Sequence, residues 1–377
     1  MTKSFDVCIR GDGVVGRTLA LLLAQERLRV ALVARTGPEP DLPPTADIPA
    51  DNAADVRAYA LNSASRQVLQ SLRAWPEAPF STPVLEMQVW GDDGGKLDFT
   101  AQSVAEPALA WIVDVPALEQ QLGQALRFAP QIETVPAPVA AALTVVCEGQ
   151  RSSSREEFGV QWSVKPYPQK ALAARLTSDQ AHRGIARQWF CGGEVLALLP
   201  LSGAEGNSVA LVWSVSLERA KVLEDLSPDQ FCAAVQVVCA GLAGHLHLIS
   251  PRASWPLALA KADRWIGPGW ALAGDAAHAV HPLAGQGLNL GLADVACLAR
   301  IIAAREYWRP LGDEKLLRRY ERARQGDAAA MGAVTDGLQD LFAQPDERWQ
   351  VLRNWGMRGF ARSGPIKDWV TRQAAGL

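Results

Sequence analysis

Residues 5–33 constrain the fold more than any other stretch of this chain. Phe5-Asp6-Val7-Cys8-Ile9 has the apolar, β-branched character of a buried strand. It runs into Gly11-Asp12-Gly13-Val14-Val15-Gly16, then a helical pattern over 17–25, then a second strand, Val30–Val33. Strand, GxGxxG, helix and strand within about 30 residues open a doubly wound sheet that binds a dinucleotide. Gly11 permits the tight turn, Gly13 lets a pyrophosphate approach the backbone, and Gly16 lets helix and strand pack closely. GxGxxG alone is weak evidence, and the flanking strand and helix give it weight.

A second informative run lies far down the chain, GDAAHAVHPLAGQGLNLGLAD at 274–294. The apolar stretch 270–273 before it reads as a buried strand. Asp275 then sits at that strand's C-terminal end, where open α/β sheets bind ligands. Pro282, Gly285, Gly287 and Gly291 surround the start of a helix that runs on through Asp294. A glycine-rich turn into a helix lets backbone N–H groups approach a ligand and favours negative charge. A carboxylate for a sugar-like hydroxyl beside a helix N-terminus for an electron-rich ring suggests a flavin site. His278 and His281 form an HxxH pair, but no carboxylate stands at helical spacing, so no metal is expected.

Together these runs resemble the FAD-dependent aromatic hydroxylases of the para-hydroxybenzoate hydroxylase fold, in the branch that acts on ubiquinone precursors. The resemblance covers nearly the whole chain. Asp55-Val56-Arg57-Ala58-Tyr59-Ala60-Leu61 matches a D-x-R-x-x-A-L element, followed by Ser65 and Trp75. Gln169, Ala171, His182, Ala186, Phe190, 198–201 and 212–214 follow the middle-domain pattern. Tyr320-Glu321-Arg322-Ala323-Arg324, 335–336, 341–342 and 352–354 follow a C-terminal set peculiar to the ubiquinone branch.

The resemblance implies a Rossmann-like α/β FAD-binding domain, an inserted β-sheet substrate domain and a C-terminal helical region. The FAD-binding domain would comprise 1–75, 111–159 and 261–344, the substrate domain 76–110 and 160–260, and the helical tail 345–377. The implied reaction is hydroxylation of the ring of a polyprenylated phenol. NAD(P)H would reduce the flavin, O2 would form a flavin hydroperoxide, and one oxygen would pass to the ring. Cofactor contacts would come from Gly11, Gly13, Gly16, Arg57, Glu148, Gly149, Gly274, Asp275, Gly285, Gln286, Gly287 and Asn289. The flavin carries the chemistry, with His281 and Pro282 as candidate residues beside it, while His278 orders the loop. Gln286 and Asn289 are expected at the pyrimidine end of the ring, and Arg57 near the flavin or its pyrophosphate. Trp213 reads as core, since aromatic residues in strands usually pack.

The chain also departs from the family. Ala34, followed by Arg35, stands where an acidic residue usually holds the adenosine ribose. The second flavin motif, usually D-G-x-x-S-x-x-R, reads Glu148-Gly149-Gln150-Arg151-Ser152-Ser153-Ser154-Arg155, and 128–145 looks short for the strands expected there. Arg10 and Asp12 flank the glycine turn, and a carboxylate there would repel a pyrophosphate unless turned away. These departures motivate an alternative, a non-catalytic member acting as an assembly or binding subunit. A hydroxylase of a small soluble aromatic compound is a third reading, against which the C-terminal motifs speak.

Composition supports a globular enzyme. The 377 residues, 49% hydrophobic and 20% charged, can hold two domains with a sizeable core. A net charge of −3 gives no general reason to bind nucleic acid. The six cysteines form no CxxC pair and read as buried free thiols of a reducing cytosol. A strand so near the start leaves no room for a signal peptide, and no apolar run reaches the length of a membrane span. Within 345–377, six basic residues against three acidic are interleaved with Trp349, Trp355, Phe360 and Trp369. Two readings stand for this tail: a helical cap on the flavin domain, or a peripheral contact with anionic lipid or a ubiquinone-biosynthesis complex. The expected location is cytoplasmic, with that contact at the inner face of the membrane. Elsewhere, 56–73 reads as a helix, 84–100 as a strand pair, 160–215 as much of the substrate sheet and 226–243 as a helix.

Overall fold

The glycine turn is the hub of a six-stranded sheet in the computed structural model, which describes residues 4–34, 55–91, 95–203, 205–279, 286–326 and 329. From edge to edge the strands are Ile266–Gly267, Trp270–Leu272, Ala141–Val146, Phe5–Arg10, Val30–Val33 and Ile132–Val135. Every neighbouring pair is parallel except the outer hairpin of 266–267 with 270–272. The helix Val14–Gln25 carries the chain from the first strand to Val30–Val33, whereas Ala141–Val146 joins the opposite side from far along the chain. The winding direction therefore reverses between Phe5–Arg10 and Ala141–Val146, which makes a topological switch point.

Ile9, Leu19, Leu23, Val145, Leu272 and Leu298 are almost wholly buried and pack into one core under this sheet. Burying each such side chain contributes about 1.5–3 kcal/mol. The stretch 128–145 is long enough after all. It supplies the edge strand Ile132–Val135 and nearly all of the central strand Ala141–Val146, joined by the short link 136–140.

A second sheet, of nine strands, is mostly antiparallel. Its spine is Trp162–Ser178, paired on one side with Ser208–Ser216 and on the other with Ala253–Ala262 and Leu246–Leu248. The helices Leu217–Asp225 and Pro228–Val238 cover one face, with Trp213, Phe231 and Val235 fully buried between. Trp213 is thus a core residue, its indole N–H donating to Glu194 at 3.0 Å. A small sheet of Ala58–Leu61, Ala110–Asp114 and Ser81–Val84 completes the fold. The boundary expected at 110/111 falls inside Ala110–Asp114, and that at 260/261 inside Ala253–Ala262, because both ladders continue across them.

The stretch 56–73 is not a single helix. Ala58–Leu61 is a strand, and the helix Ser63–Ser71 starts only after Asn62, whose side chain caps it by accepting the Ser65 N–H at 2.9 Å. Among the described residues, no helix is long and apolar enough to cross a membrane. The tail 345–377 and the stretch 36–54 lie outside the described residues.

Candidate active site

Three runs far apart in sequence end side by side. The glycine turn follows Phe5–Arg10, the Glu148 motif follows Ala141–Val146, and Gly274-Asp275 follows Trp270–Leu272. These are three adjacent parallel strands, and Arg10 and Leu272 both register on Val146. The runs therefore share the C-terminal edge of the sheet beside the switch point, where such sheets bind ligands.

Each glycine of the first turn has a separate physical reason. Gly11 has φ +109°, and a Cβ there would meet the Cys147 carbonyl oxygen at 2.5 Å. A Cβ on Gly16 would collide with the Gly11 carbonyl oxygen. At Gly13 a Cβ would meet nothing within 4 Å, so its backbone faces open space. Gly13 also caps the helix Val14–Gln25 without a side-chain hydrogen bond, and no acidic residue stands in the first turn. Among the described residues, no side chain caps the N-terminus of this helix. The two charges flanking the turn point elsewhere. Arg10 donates to Ser154 Oγ at 3.0 Å and pairs with Glu157, which lowers that carboxyl's pKa, while Asp12 lies 3.9 Å from Arg17.

The second motif is folded around its own side chains. Glu148 accepts the Ser152 hydroxyl at 2.7 Å, the Ser154 N–H at 3.2 Å and the Ser154 hydroxyl at 2.8 Å. The longer Glu thus serves this motif as a local acceptor. Gly149, at φ +76°, faces open space. Arg155 then ties this motif to the third. It donates to the carbonyls of Gly149 and Ala276, both at 3.2 Å, and lies 3.8 Å over the Trp162 ring. Its burial lowers its pKa.

The third motif links the two large sheets. After Trp270–Leu272 the chain makes a tight 3-10 turn, Gly274–Ala276, and continues as His278–Ala279 at the edge of the second sheet, paired with Ala260 and Lys261. Asp275 sits in that turn, partly exposed, within hydrogen-bond reach of Gln150 Nε2 at 3.4 Å. Burial pushes its carboxyl pKa up. Burial also raises the Tyr59 phenol, and the Asp275 charge adds to that rise, so the two share one electrostatic neighbourhood. The helix Gln286–Ala303 follows, with Gly287 near Asp275, since a Cβ there would lie 4.0 Å from Asp275 Oδ1. Gly285, His281 and Pro282 lie outside the described residues.

Two of the expected cofactor contacts hold protein groups. Asn289 Oδ1 accepts the Asn62 N–H at 3.0 Å and the Ser65 hydroxyl at 2.7 Å, and its amide donates to the Ala60 carbonyl at 2.8 Å. It clamps the helix Gln286–Ala303 to the Ala58–Leu61 strand. Arg57 is held in a fork by Asp55, with Glu119 3.8 Å away, which raises its pKa. Sequence reasoning missed Gln150, Tyr59 and Asp294 as parts of this neighbourhood. Asp294 had a visible signal, a carboxylate inside an apolar helix.

This geometry agrees with the similarity of the chain to known proteins. The sequence profile described as an FAD binding domain matches residues 128–335. The ubiquinone hydroxylase UbiL of Rhodospirillum rubrum is 32% identical, covering 99% of this chain and 90% of that protein. The chain belongs to the FAD-dependent aromatic hydroxylases, in the ubiquinone-hydroxylase branch. The 3-demethoxyubiquinol 3-hydroxylase of Escherichia coli is 28% identical, covering 99% of this enzyme and 98% of that one. Among solved structures, p-nitrophenol 4-monooxygenase PnpA of Pseudomonas putida superposes with a TM-score of 0.76 at 16% identity, over 99% of this chain and 98% of that one. PqsL, a probable FAD-dependent monooxygenase of Pseudomonas aeruginosa, gives 0.75 at 20% identity, over 95% and 100%. Those two likenesses show the fold.

The enzyme is an FAD-dependent monooxygenase, and its residues fit the cofactor. The open backbone at Gly13 and Gly149, the helix N-terminus without an acidic residue in its first turn, and the carboxylate of Asp275 all follow the C-terminal ends of the three adjacent parallel strands. Ala34, at the end of Val30–Val33, brings no carboxylate, and Arg35 lies outside the described residues.

Proposed function

We propose that the enzyme hydroxylates the aromatic ring of a polyprenylated phenol on the way to ubiquinone, using NAD(P)H and O2. One observation carries this most: the Asp275 turn passes directly from the parallel sheet to the edge of the antiparallel sheet. A cofactor seated along the strand ends would have its reactive end against the second sheet, where the inserted domain can hold a ring. The full-length similarity to ubiquinone hydroxylases supports the substrate class.

When bound, FAD would supply electron transfer from NAD(P)H and activation of O2. The chain's residues would hold and shield it. The N–H groups of Gly13–Gly16 would face the pyrophosphate, and Asp275 would accept a ribityl hydroxyl. The N-terminus of the helix Gln286–Ala303 would favour negative charge at the ring. Arg57, already paired with Asp55, would sit at the rim and adjust to the pyrophosphate. Gly285 and the residues His281 and Pro282 would complete the loop beside the ring.

A polyprenyl tail makes contact with a lipid surface useful, and the Arg and Trp residues of 345–377 suit one at the inner face of the membrane or within a biosynthetic complex. Quinone intermediates extracted from cells lacking the enzyme test the proposal. Accumulation of a precursor missing one ring hydroxyl is the expected result. Normal ubiquinone with no such precursor would overturn it.

A further inference from the structure

Behind the strand ends lies a buried polar cluster centred on Asp294. This residue is fully buried on the helix Gln286–Ala303, among Leu290, Leu292, Val295 and Leu298 of the same helix. A carboxylate survives in such surroundings only with charged and hydrogen-bonding partners. Asp294 has three. Its Oδ2 accepts the Gly274 N–H at 3.0 Å and lies 2.7 Å from His278 Nε2, and its Oδ1 accepts Arg324 Nε at 2.9 Å. Gly274 and His278 stand on either side of Asp275, so one carboxylate holds both ends of the turn that carries it.

The other half of the cluster comes from the run Tyr320–Arg324, on the helix over 314–326. The Tyr320 hydroxyl donates to the Leu272 carbonyl at 2.8 Å, at the end of the strand that leads into the turn. Glu321 accepts the Trp265 N–H at 3.0 Å, and the Trp265 ring stacks on His278 at 4.7 Å. Arg324 reaches Asp294. Tyr320 and Arg324 are four residues apart and share a helix face. Three side chains of one short motif thus grip three points around the same turn.

We propose that Asp294 and Arg324 are positioning residues: with Tyr320 and Glu321 they clamp the Gly274–Ala276 turn level with the neighbouring strand ends, so that cofactor affinity depends on a motif lying behind the site. The motif at 320–324 is then a brace for cofactor binding and takes no part in substrate recognition. The inference rests on the reading of Asp275 as a cofactor ligand.

The test uses the full-length chain stripped of FAD and titrated with it by flavin fluorescence, with circular dichroism of the apo-protein as the fold control. Arg324→Gln should weaken FAD binding about tenfold or more, the scale of one lost charge-assisted hydrogen bond. Arg324→Lys should recover part of the loss, because it restores charge without the planar fork. Asp275→Asn combined with Arg324→Gln should be less harmful than the product of the single effects, since both act through one turn. Should Arg324→Gln fail to fold, Tyr320→Phe replaces it, with an expected loss of about threefold. Unchanged affinity in a folded Arg324→Gln or, in its place, Tyr320→Phe chain overturns the clamp, and so does strict multiplication of the two single effects where Asp275→Asn itself weakens binding. If Asp275→Asn alone leaves affinity unchanged while Arg324→Gln weakens it, the clamp stands and the role given to Asp275 fails.

Discussion

At the scale of single residues, Asp275 shows a conflict between stability and binding. Its carboxyl pKa is raised in the folded apo-protein, chiefly by burial. The neutral form therefore favours folding. That contribution is complete below the unfolded value of about 3.9 and is lost as pH rises through the raised folded value. Above that range the group works against the apo fold, because the unfolded chain ionises it more readily. Asp275→Asn should then raise the apo melting temperature at pH 7 while weakening FAD binding by about 1.5–3 kcal/mol. The stability gain should vanish as pH approaches the unfolded value. Differential scanning fluorimetry across pH, with FAD titration at pH 7, measures both; a fall in apo stability at pH 7 would contradict the assignment. At this scale the sequence was partly legible. The positive φ of Gly11 and the packing of Gly16 on the Gly11 carbonyl follow from the motif's spacing, because both are set by backbone geometry within one turn. The protein partners of Asn289 were not, because Ala60 and Ser65 are 229 and 224 residues away. A polar side chain at a motif position looks the same in sequence whether it meets ligand or protein.

At the scale of elements, the strand–turn–helix unit separates folding from binding within a few residues. Gly16→Ala forces a Cβ onto the Gly11 carbonyl and should cost about 1–3 kcal/mol or more of stability. Gly13→Ala places its Cβ in open space and should cost at most about 1 kcal/mol as a poorer helix cap. It should nonetheless weaken FAD binding, because that space is the approach to the backbone. Urea unfolding of the two apo-proteins should rank Gly16→Ala well below Gly13→Ala; the reverse order would mean that the turn is not the tight point of the fold. Element boundaries were less legible than elements. The stretch 56–73 has helical spacing, yet Asn62 breaks it, since its side chain caps a helix and its extended backbone ends a strand. The shortness of 128–145 misled for a related reason. An edge strand that satisfies its ladder on one side needs only Ile132–Val135.

At the scale of the whole molecule, the assembly of the parallel sheet from separated segments was legible because its motifs are so far apart, but the joints between sheets were not. One joint is the passage of 270–279 from sheet to sheet. Another is Arg175, on the long strand Trp162–Ser178. Its guanidinium lies 2.6 Å from Asp114 and donates to the Asp55 carbonyl at 3.0 Å. Asp114 belongs to the small sheet and also caps the helix Val115–Arg127, accepting the Ala117 N–H. One carboxylate thus starts the helix Val115–Arg127 and holds the spine of the nine-stranded sheet. Both side chains are mostly buried, so removing either leaves the other poorly compensated. Arg175→Met should destabilise the fold by about 1–3 kcal/mol. Asp114→Asn keeps a good helix cap and should cost less in helix stability, so its loss reports mainly on the ion pair. If the pair couples the two sheets, the double variant should be more stable than additivity allows, by at least about 0.5 kcal/mol. Because Arg175 also holds the backbone at Asp55, next to Val56 and Arg57, Arg175→Met should weaken FAD binding as well. Chemical denaturation of the four chains decides the first point, and FAD titration the second. Additive energies together with unchanged FAD affinity would reduce Arg175 to a local contact and leave the 270–279 passage as the joint between the sheets.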